Sequence, residues 1–486
     1  VFLSSQFTRV HRDRLIKHGF LSEVMKGWLI ITDPSSIKGD STTWYASFWT
    51  FVKAYLNKRF GDDYCLSPEA SILMHIGATA IPKQVTIITK KVTGQLVALP
   101  HSTTLLLYND IKNFPEHRVQ KDGIWIMEME EALCRMPQSY FEQNPIDAEI
   151  ALRSLKNTSK LLEYLLSGKH STIAGRLVGA YSFLGEKQTA ELIKVTMTAA
   201  DYSPKIINPF SSEKPTLVQG FRFTSPYSAR IESLWSQMRE EILAHFPSGQ
   251  GLPKNTKEYL QKVEEGYVND AYNSLSIEGY RVTPELIVQI QSGNWNPDLN
   301  ITDIQQKDAL AAKGYQMAFR AVKKSISRIL EGENSGDIVS SDHPLWYIDL
   351  FSPMVQAGIL KLHNLSGYRN HPVFIKQSMH VPPPHSAIPD CMETYCKLLR
   401  EEESASVRAI LGHFVFVYIH PYSDGNGRIG RFIMNCMLAS GGFDWCVVPV
   451  NQKERYMIAL EAASYNNDIK KFTTFIRDIS GISANS

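Results

Sequence analysis

Residues 420–431, HPYSDGNGRIGR, lie between two apolar stretches and decide how the C-terminal half of the chain is built. The stretch before them, SVRAILGHFVFVYI, reads as a buried helix, and Pro421 disfavours helical geometry at His420, so this helix should end there. Residues 424–427, Asp-Gly-Asn-Gly, form a turn of residue types that tolerate positive φ. GRIGRFIMNCMLAS then begins a second apolar helix. We therefore expect two buried helices joined by a tight polar loop.

The loop has the chemistry of a phosphate site. A helix start flanked by glycine presents unpaired backbone N–H groups and the positive end of the helix dipole. Arg428 and Arg431 are three residues apart and share a face of the first turn. Asp424 supplies a hard oxygen ligand suited to a Mg²⁺ ion that shares phosphate oxygens. His420, at the loop entrance, is suited to take a proton from an incoming hydroxyl.

The loop resembles the Fic-family signature, His-x-Phe-x-Asp/Glu-Gly-Asn-Gly-Arg-x-x-Arg, with Tyr422 in place of the usual Phe. The resemblance implies an all-α Fic domain over 221–486 that transfers AMP from ATP to a Tyr, Ser or Thr hydroxyl of a protein. It implies that His420 is the general base and that Asp424 is the Mg²⁺ ligand. The residues implied to bind the nucleotide are Gly425, Asn426, Gly427, Arg428, Gly430 and Arg431.

Two further segments extend the resemblance. GYRNHPVFIKQSMHVPPPHSAIPDCM (367–392) resembles the family's flap, a β-hairpin on which residues 371–385 would hold the target protein as an added strand. NQKERYMIALEAASYNNDIKKFTTFI (451–476) resembles the closing helices, which places Tyr456 at the adenine pocket. His413 lies among apolar neighbours, so we expect a hydrogen-bonded core histidine there in preference to a metal ligand.

Upstream, SLSIEG at residues 274–279 resembles the family's inhibitory motif, Ser/Thr-x-x-x-Glu-Gly/Asn. The resemblance implies that Glu278, within a motif completed by Ser274 and Gly279, pairs with Arg431. The pair would occupy the guanidinium that should hold the γ-phosphate, so the chain would inhibit itself. The residues alone also fit a helix that ends in Glu and a glycine cap.

The pattern of apolar residues predicts a multidomain chain with three regions. Region 1–115 is α+β, and residues 1–60 hold nine Lys/Arg against four Asp/Glu. Its predicted helix–turn–helix–strand order, in which a short second segment leads to the strand at 28–32, resembles the winged-helix head of bacterial antitoxins and regulators. This resemblance makes DNA a candidate partner. The alternative is a domain that only docks other domains or partners. Region 116–220 is predicted to be mainly helical, with a linker at 202–216, and region 221–486 nearly all helical.

Composition narrows the class of protein. Hydrophobic residues make up 43% and charged residues 21%, as in ordinary soluble globular proteins. The net charge of +2 is too small to favour binding of nucleic acid or membrane by the chain as a whole. The six cysteines form no CxxC pair, which predicts reduced thiols. Without a signal-peptide pattern or an apolar run of membrane-spanning length, we expect a cytoplasmic protein with no membrane partner.

Three alternatives stay open at this stage. The same fold would suit another donor, such as UMP or phosphocholine, or the removal of AMP with Glu278 orienting the water. The third alternative is a regulator that binds DNA through residues 1–115 and uses the Fic fold as a nucleotide sensor. The target protein, self-modification and the oligomeric state are not fixed by the sequence.

Overall fold

The computed structural model describes residues 1–34, 40–91, 94–155, 158–168, 170–211, 215, 225–295 and 303–481, with side chains of the last range from 306. It divides into two compact units, Val1–Ser233 with Phe374–Val381, and Leu234–Val373 with Pro382–Ser486. The predicted regions 1–115 and 116–220 thus lie in one unit. Residues 212–214 and 216 of the predicted linker lie outside the described residues.

The first unit combines small sheets with helices. Its strands are β1 Phe2–Leu3, β2 Leu21–Met25, β3 Trp28–Ile31, β4 Tyr64–Leu66, β5 Gln84–Thr89, β6 Gln95–Ala98, β7 Thr104–Asn109, β8 Arg118–Lys121 and β9 Ile124–Met127. Its helices are α1 Arg9–Lys17, α2 Thr42–Phe60, α3 Pro68–His75, α4 Met129–Arg135, α5 Gln138–Gln143, α6 Pro145–Ser154, α7 Thr158–Ser167, α8 Ser171–Phe183 and α9 Lys187–Ala199. The region predicted to be mainly helical, 116–220, contains α4 to α9 and one hairpin, β8–β9.

The core of this unit lies between α2 and a four-stranded sheet of order β4-β5-β7-β6. Strands β5 and β7 are parallel and the other two pairs antiparallel. The buried face of α2 carries aromatic rings, with Trp44 and Phe51 centred 5.5 Å apart. They pack in one cluster with sheet residues such as Val85 and Leu107. Burial of this aromatic face stabilises α2 more than its intrinsic helix propensity does.

The predicted helix-turn-helix-strand order at the N-terminus is wrong in its second helix. Helix α1 is present, but Leu21–Met25 is a strand that pairs antiparallel with β3. The hairpin closes at Lys26 and Gly27, where glycine adopts φ 88° without a steric penalty. The order is therefore helix and then hairpin, in a three-stranded sheet β1-β3-β2.

The predicted flap hairpin is also wrong. Residues 371–385 contain no strand, and their one β-bridge joins His380 to Ala80 of the same unit. The N–H of Ile81 donates to the Met379 carbonyl (2.9 Å), and the N–H of Val381 donates to the Thr79 carbonyl. The prolines at 382–384 carry no backbone N–H, so the segment cannot pair efficiently with itself.

The second unit is helical, and α10 contains the division between the units. Its helices are α10 Pro226–His245, α11 Thr256–Glu265, α12 Tyr267–Ile277, α13 Pro284–Gln291, α14 Asp303–Leu330, α15 Ser335–Gln356, α16 Ile388–Glu401, α17 Ala405–Ile419, α18 Asn426–Ser440, α19 Lys453–Asn466 and α20 Lys470–Ile479. Helix α17 packs along α18, and α14 along α15. Residues 256–277 form two consecutive helices, α11 and α12, and residues 453–479 contain two more, α19 and α20. Across the described residues, no helix combines the length and apolarity needed to span a bilayer.

Candidate active site

The loop between α17 and α18 is built by its own residues. His420 ends α17 in the left-handed region (φ 53°, ψ 58°), and Gly425 precedes α18 with φ 80°. The Asn426 side chain accepts from the N–H of Tyr422 (2.9 Å) and donates to the Tyr422 carbonyl (2.8 Å). Asn426 was predicted to cradle phosphates, but its side chain, 2% exposed, is used to close the loop.

His420 is poised as a base by its local geometry. Its Nδ1 lies 3.1 Å from the Val417 carbonyl, which can only accept, so Nδ1 carries the proton and Nε2 keeps a free lone pair. Burial lowers the pKa of His420 to about 4, although the carbonyl contact opposes the shift. At neutral pH the imidazole is therefore uncharged and able to accept a proton.

The start of α18 is an anion site. The first helical bond runs from the N–H of Ile429 to the Gly425 carbonyl (3.0 Å), so the N–H groups of residues 426–428 have no intrahelical partner. Nη1 of Arg431 and both Nε and Nη1 of Arg428 are buried donors without a hydrogen-bond partner among the described residues. Unpaired buried guanidinium donors are costly unless an anion is bound there.

Glu278 lies in this anion site. Its Oε1 accepts from Nη2 of Arg431 at 2.7 Å, and a Cβ built on Gly427 would lie 2.6 Å from the same oxygen. The Glu278 side chain is 24% exposed. Burial opposes its ionisation, but the charge of Arg431 prevails and holds the pKa of Glu278 below its usual range. A carboxylate therefore occupies the space next to the helix start that a phosphate would need.

The rest of the predicted inhibitory motif also has defined roles. Ser274 Oγ accepts from Nε of Arg431 (2.9 Å), and the Ser274 carbonyl accepts from Nη2 (3.2 Å). Gly279 follows the helix end with φ 92°, while the Tyr280 N–H returns to the Leu275 carbonyl (3.1 Å). Glycine here lets α12 stop directly after Glu278.

Arg428 is buried between two aromatic rings. Its guanidinium lies 4.9 Å from the ring centre of Phe351 and 5.4 Å from that of Tyr280. Its Nη2 donates to Oδ1 of Asp424 (3.3 Å), which also accepts from the N–H of Gly425. These contacts fix the direction of Arg428 and keep its charge beside the loop.

Asp424 is the candidate Mg²⁺ ligand. Its side chain is 60% exposed, and no group of three or more His, Cys, Asp or Glu that could hold a metal occurs in the described part of the chain. Mg²⁺ commonly binds one or two carboxylates, waters and the phosphates of a substrate, so a single exposed carboxylate next to an anion site fits such an ion.

Two predicted nucleotide-binding residues have packing roles in the structure. A Cβ on Gly430 would lie 3.1 Å from Cγ1 of Val417, so glycine allows α18 to approach α17 closely. Tyr456 is 1% exposed, and its hydroxyl lies 2.7 Å from Nε2 of His413. His413 is thus the hydrogen-bonded core histidine that we expected, and burial lowers its pKa to about 3.

Sequence reasoning missed Arg369, a buried arginine with no carboxylate partner in the described structure. It donates from Nε to the His420 carbonyl (2.7 Å), from Nη1 to the His371 carbonyl (3.1 Å) and from Nη2 to the Pro383 carbonyl (2.6 Å). Arg369 therefore ties both ends of the segment 371–385 to the histidine of the loop. All of its acceptors are backbone groups, so no residue pattern signalled this role.

Sequence reasoning also missed helix α15, which packs against residues of the loop. Tyr422 stacks on Tyr347 with ring centres 3.9 Å apart, and its hydroxyl lies 3.0 Å from Nδ1 of His343. Tyrosine in place of the usual Phe thus has a buried polar partner for its hydroxyl. Phe351, which packs against Arg428, comes from the same helix.

Comparison with known proteins bears on this site. Residues 353–438 match the Fic/DOC family. A relative named protein adenylyltransferase Fic, from Drosophila ananassae, is 26% identical over 253 residues, 51% of this chain and 46% of that protein. One of the same name from Drosophila willistoni is 27% identical over 219 residues, 44% of this chain and 40% of that protein. This chain thus spans less than half the length of the relatives it matches.

Solved structures give weaker likenesses. Fic-1 from C. elegans has a TM-score of 0.39 at 15% identity, covering 72% of this chain and 88% of that chain. A Fic-domain signalling protein from Bacteroides thetaiotaomicron has a TM-score of 0.33 at 16% identity, covering 52% of this chain and 100% of that chain. Scores below 0.5 do not establish a common overall fold.

Proposed function

We propose that this chain, which carries a Fic/DOC domain, is a protein adenylyltransferase that moves AMP from ATP to a Tyr, Ser or Thr hydroxyl. The observation that carries the proposal is the single loop that joins an uncharged histidine base to an anion site. The unpartnered donors of Arg428 and Arg431 border that site. Transfer of a nucleotidyl group requires positioning and charge neutralisation more than covalent help from the protein.

The residues present account for each step. The target hydroxyl oxygen forms a bond to the α-phosphorus, and the bond from that phosphorus to pyrophosphate breaks. Nε2 of His420 accepts the hydroxyl proton, since Nδ1 is held on the Val417 carbonyl. Arg428 and Arg431 hold the negative charge of the leaving end. Mg²⁺ on Asp424 would neutralise phosphate charge when bound.

The chain inhibits its own activity through Glu278. The carboxylate lies beside Gly427 and uses Nη2 of Arg431, so the γ-phosphate and Glu278 compete for one space and one donor. ATP in the presence of Glu278 is then held in an orientation that does not favour transfer. Loss of the carboxylate frees both the space and the donor.

The segment 371–385 holds the target. The backbone of residues 379–381 already bonds to residues 79 and 81. A target backbone added here must therefore bond to the opposite side of residues 379–381 or displace these bonds. Self-modification is the special case in which the target hydroxyl belongs to the chain itself.

The test uses the full chain, with ATP or UTP labelled at the α-phosphate, CDP-choline as a third donor, and cell lysate as the source of targets. We expect protein-bound label from ATP only, its loss with EDTA, and an AMP adduct on a hydroxyl residue by mass spectrometry. Label from UTP, or modification by phosphocholine, would assign another donor. No label from any donor, with wild type and Glu278→Gly alike, would reject a transferase.

Removal of AMP is the second candidate, because Glu278 is also placed next to the anion site where it would orient a water molecule. A pre-modified target distinguishes the two. Release of AMP by wild type, and its loss in Glu278→Gly, would favour removal over transfer.

A further inference from the structure

Helix α1 contributes no buried side chain to the first unit. Among its nine residues only Arg12 and Leu15 are half-buried, and the others are exposed. A helix this short is marginal in water unless packing or a partner stabilises it. Its exposed surface is therefore available for a partner.

The exposed surface of α1 is basic. The helix contains one acidic residue, Asp13, and four basic ones, Arg9, Arg12, Arg14 and Lys17. Asp13 is already paired with Arg12 (2.9 Å) and Arg9 (3.8 Å). Arg14 and Lys17 have no side-chain partner among the described residues and lie three apart on one face. The first turn contains no acidic residue, so the helix dipole adds to the positive potential.

Neighbouring elements of the same unit carry further exposed basic residues. The hairpin β2–β3 follows α1 directly, with exposed Lys26 at its turn. On the adjacent α2, Lys58 lies over the ring of Trp28 in β3, with Nζ 5.7 Å from the ring centre. The one acid of the hairpin is Glu23. Positive charge thus comes from a helix, a hairpin tip and a second helix.

We propose that α1 and the β2–β3 hairpin form a binding surface for duplex DNA. A helix with its side chains is about 10–12 Å across, which suits a major groove about 12 Å wide. The hairpin beside it follows the phosphate backbone with Lys26. Arginine, the commonest residue of α1, suits both phosphate and the guanine edge. An anionic membrane is less suited, because the exposed apolar residues of α1 are only Val10 and Ile16.

The test measures fluorescence anisotropy of a labelled mixed-sequence duplex with the full chain between about 50 and 200 mM salt. Arg14→Ala combined with Lys17→Ala removes two unpaired charges without touching the core. We expect the log–log salt slope of the binding constant to fall by about 2 in this variant. Lys187→Ala with Lys257→Ala removes equal charge from exposed sites elsewhere and should leave the slope unchanged.

Absence of binding at low salt would overturn the proposal, as would equal losses in the two double variants. Phosphatidylserine vesicles and polyglutamate serve as competing partners. Binding to either of these that depends on Arg14 and Lys17, with none to the duplex, would assign the surface to a membrane or an acidic protein. AMP transfer by the α1 variant should equal wild type, because DNA binding and transfer are separate activities.

Discussion

The loop 420–431 and the segment 371–385 are held in place in different ways. The loop is closed by Asn426 on the Tyr422 backbone, within a span of five residues. The segment contains no strand, and its 379–381 backbone bonds to residues 79 and 81, about 300 positions away in sequence. A locally built loop keeps the groups of the candidate site fixed, whereas a segment held by distant contacts changes its position when those contacts change.

One residue connects the two regions within the second unit. Arg369 bonds to carbonyls at both ends of the segment and to the carbonyl of His420. We therefore predict that substitutions inside the loop remove a group needed for AMP transfer. Substitutions at Arg369 should instead change the position of His420 relative to the segment.

The largest effect is expected from His420→Ala. Loss of a general base lowers transfer by about 10²–10⁴-fold, while ATP affinity should hardly change because the anion site is intact. His363→Ala, an exposed histidine outside both the loop and the segment, is the matched control and should transfer AMP at the wild-type rate. Transfer at the wild-type rate by His420→Ala would show that His420 is not the general base.

The pH profile gives the next largest difference. With the pKa of His420 lowered to about 4, the base is lost only as the pH falls through about 4. An ordinary histidine of pKa about 6.5 would lose about 30-fold by pH 5. We expect kcat/KM of the Glu278→Gly variant to be nearly flat between pH 7.5 and 5, measured at constant Mg²⁺ and ionic strength. A fall centred near 6.5 would contradict the buried, neutral imidazole.

Arg369→Met should have an intermediate effect of about tenfold on kcat, since buried carbonyls lose donors worth about 1–3 kcal/mol. Arg408→Met is the control, because Arg408 also donates to backbone carbonyls, those of Glu402 and Glu403, but away from the loop. Both variants should have a lower Tm. Equal kcat values in the two variants would show that Arg369 is only structural.

The smallest effect is expected from Tyr422→Phe, which keeps the stack on Tyr347 and removes a hydroxyl. The partner, Nδ1 of His343, is then buried without its hydrogen bond, which costs about 1 kcal/mol or slightly more. Chemical denaturation should report this loss with kcat nearly unchanged. A large fall in kcat would give the hydroxyl a catalytic part.

These contrasts also explain what the sequence could predict. The loop was predictable because Pro421 and Gly425 impose its geometry locally. The Glu278–Arg431 contact, implied by the resemblance, is present. Helix α15 was not predicted because Pro344 and Pro353 lie within it, and proline in a sequence normally argues against a helix. The N-cap residue Asn334 was the one local signal for its start. The hairpin at 371–385 and the second N-terminal helix were wrong because pairing with other residues decides those backbones.

The most direct test of the central claim combines Glu278→Gly and Arg431→Ala in AMP transfer at saturating ATP. A charge-assisted pair is worth about 1.5–3 kcal/mol, so Glu278→Gly should raise transfer roughly ten- to a hundredfold. Arg431→Ala should stay inactive alone and with Glu278→Gly, because the phosphate donor is gone in both. A Glu278→Gly protein no more active than wild type, or a double variant as active as Glu278→Gly, would contradict an anion site blocked by its own carboxylate.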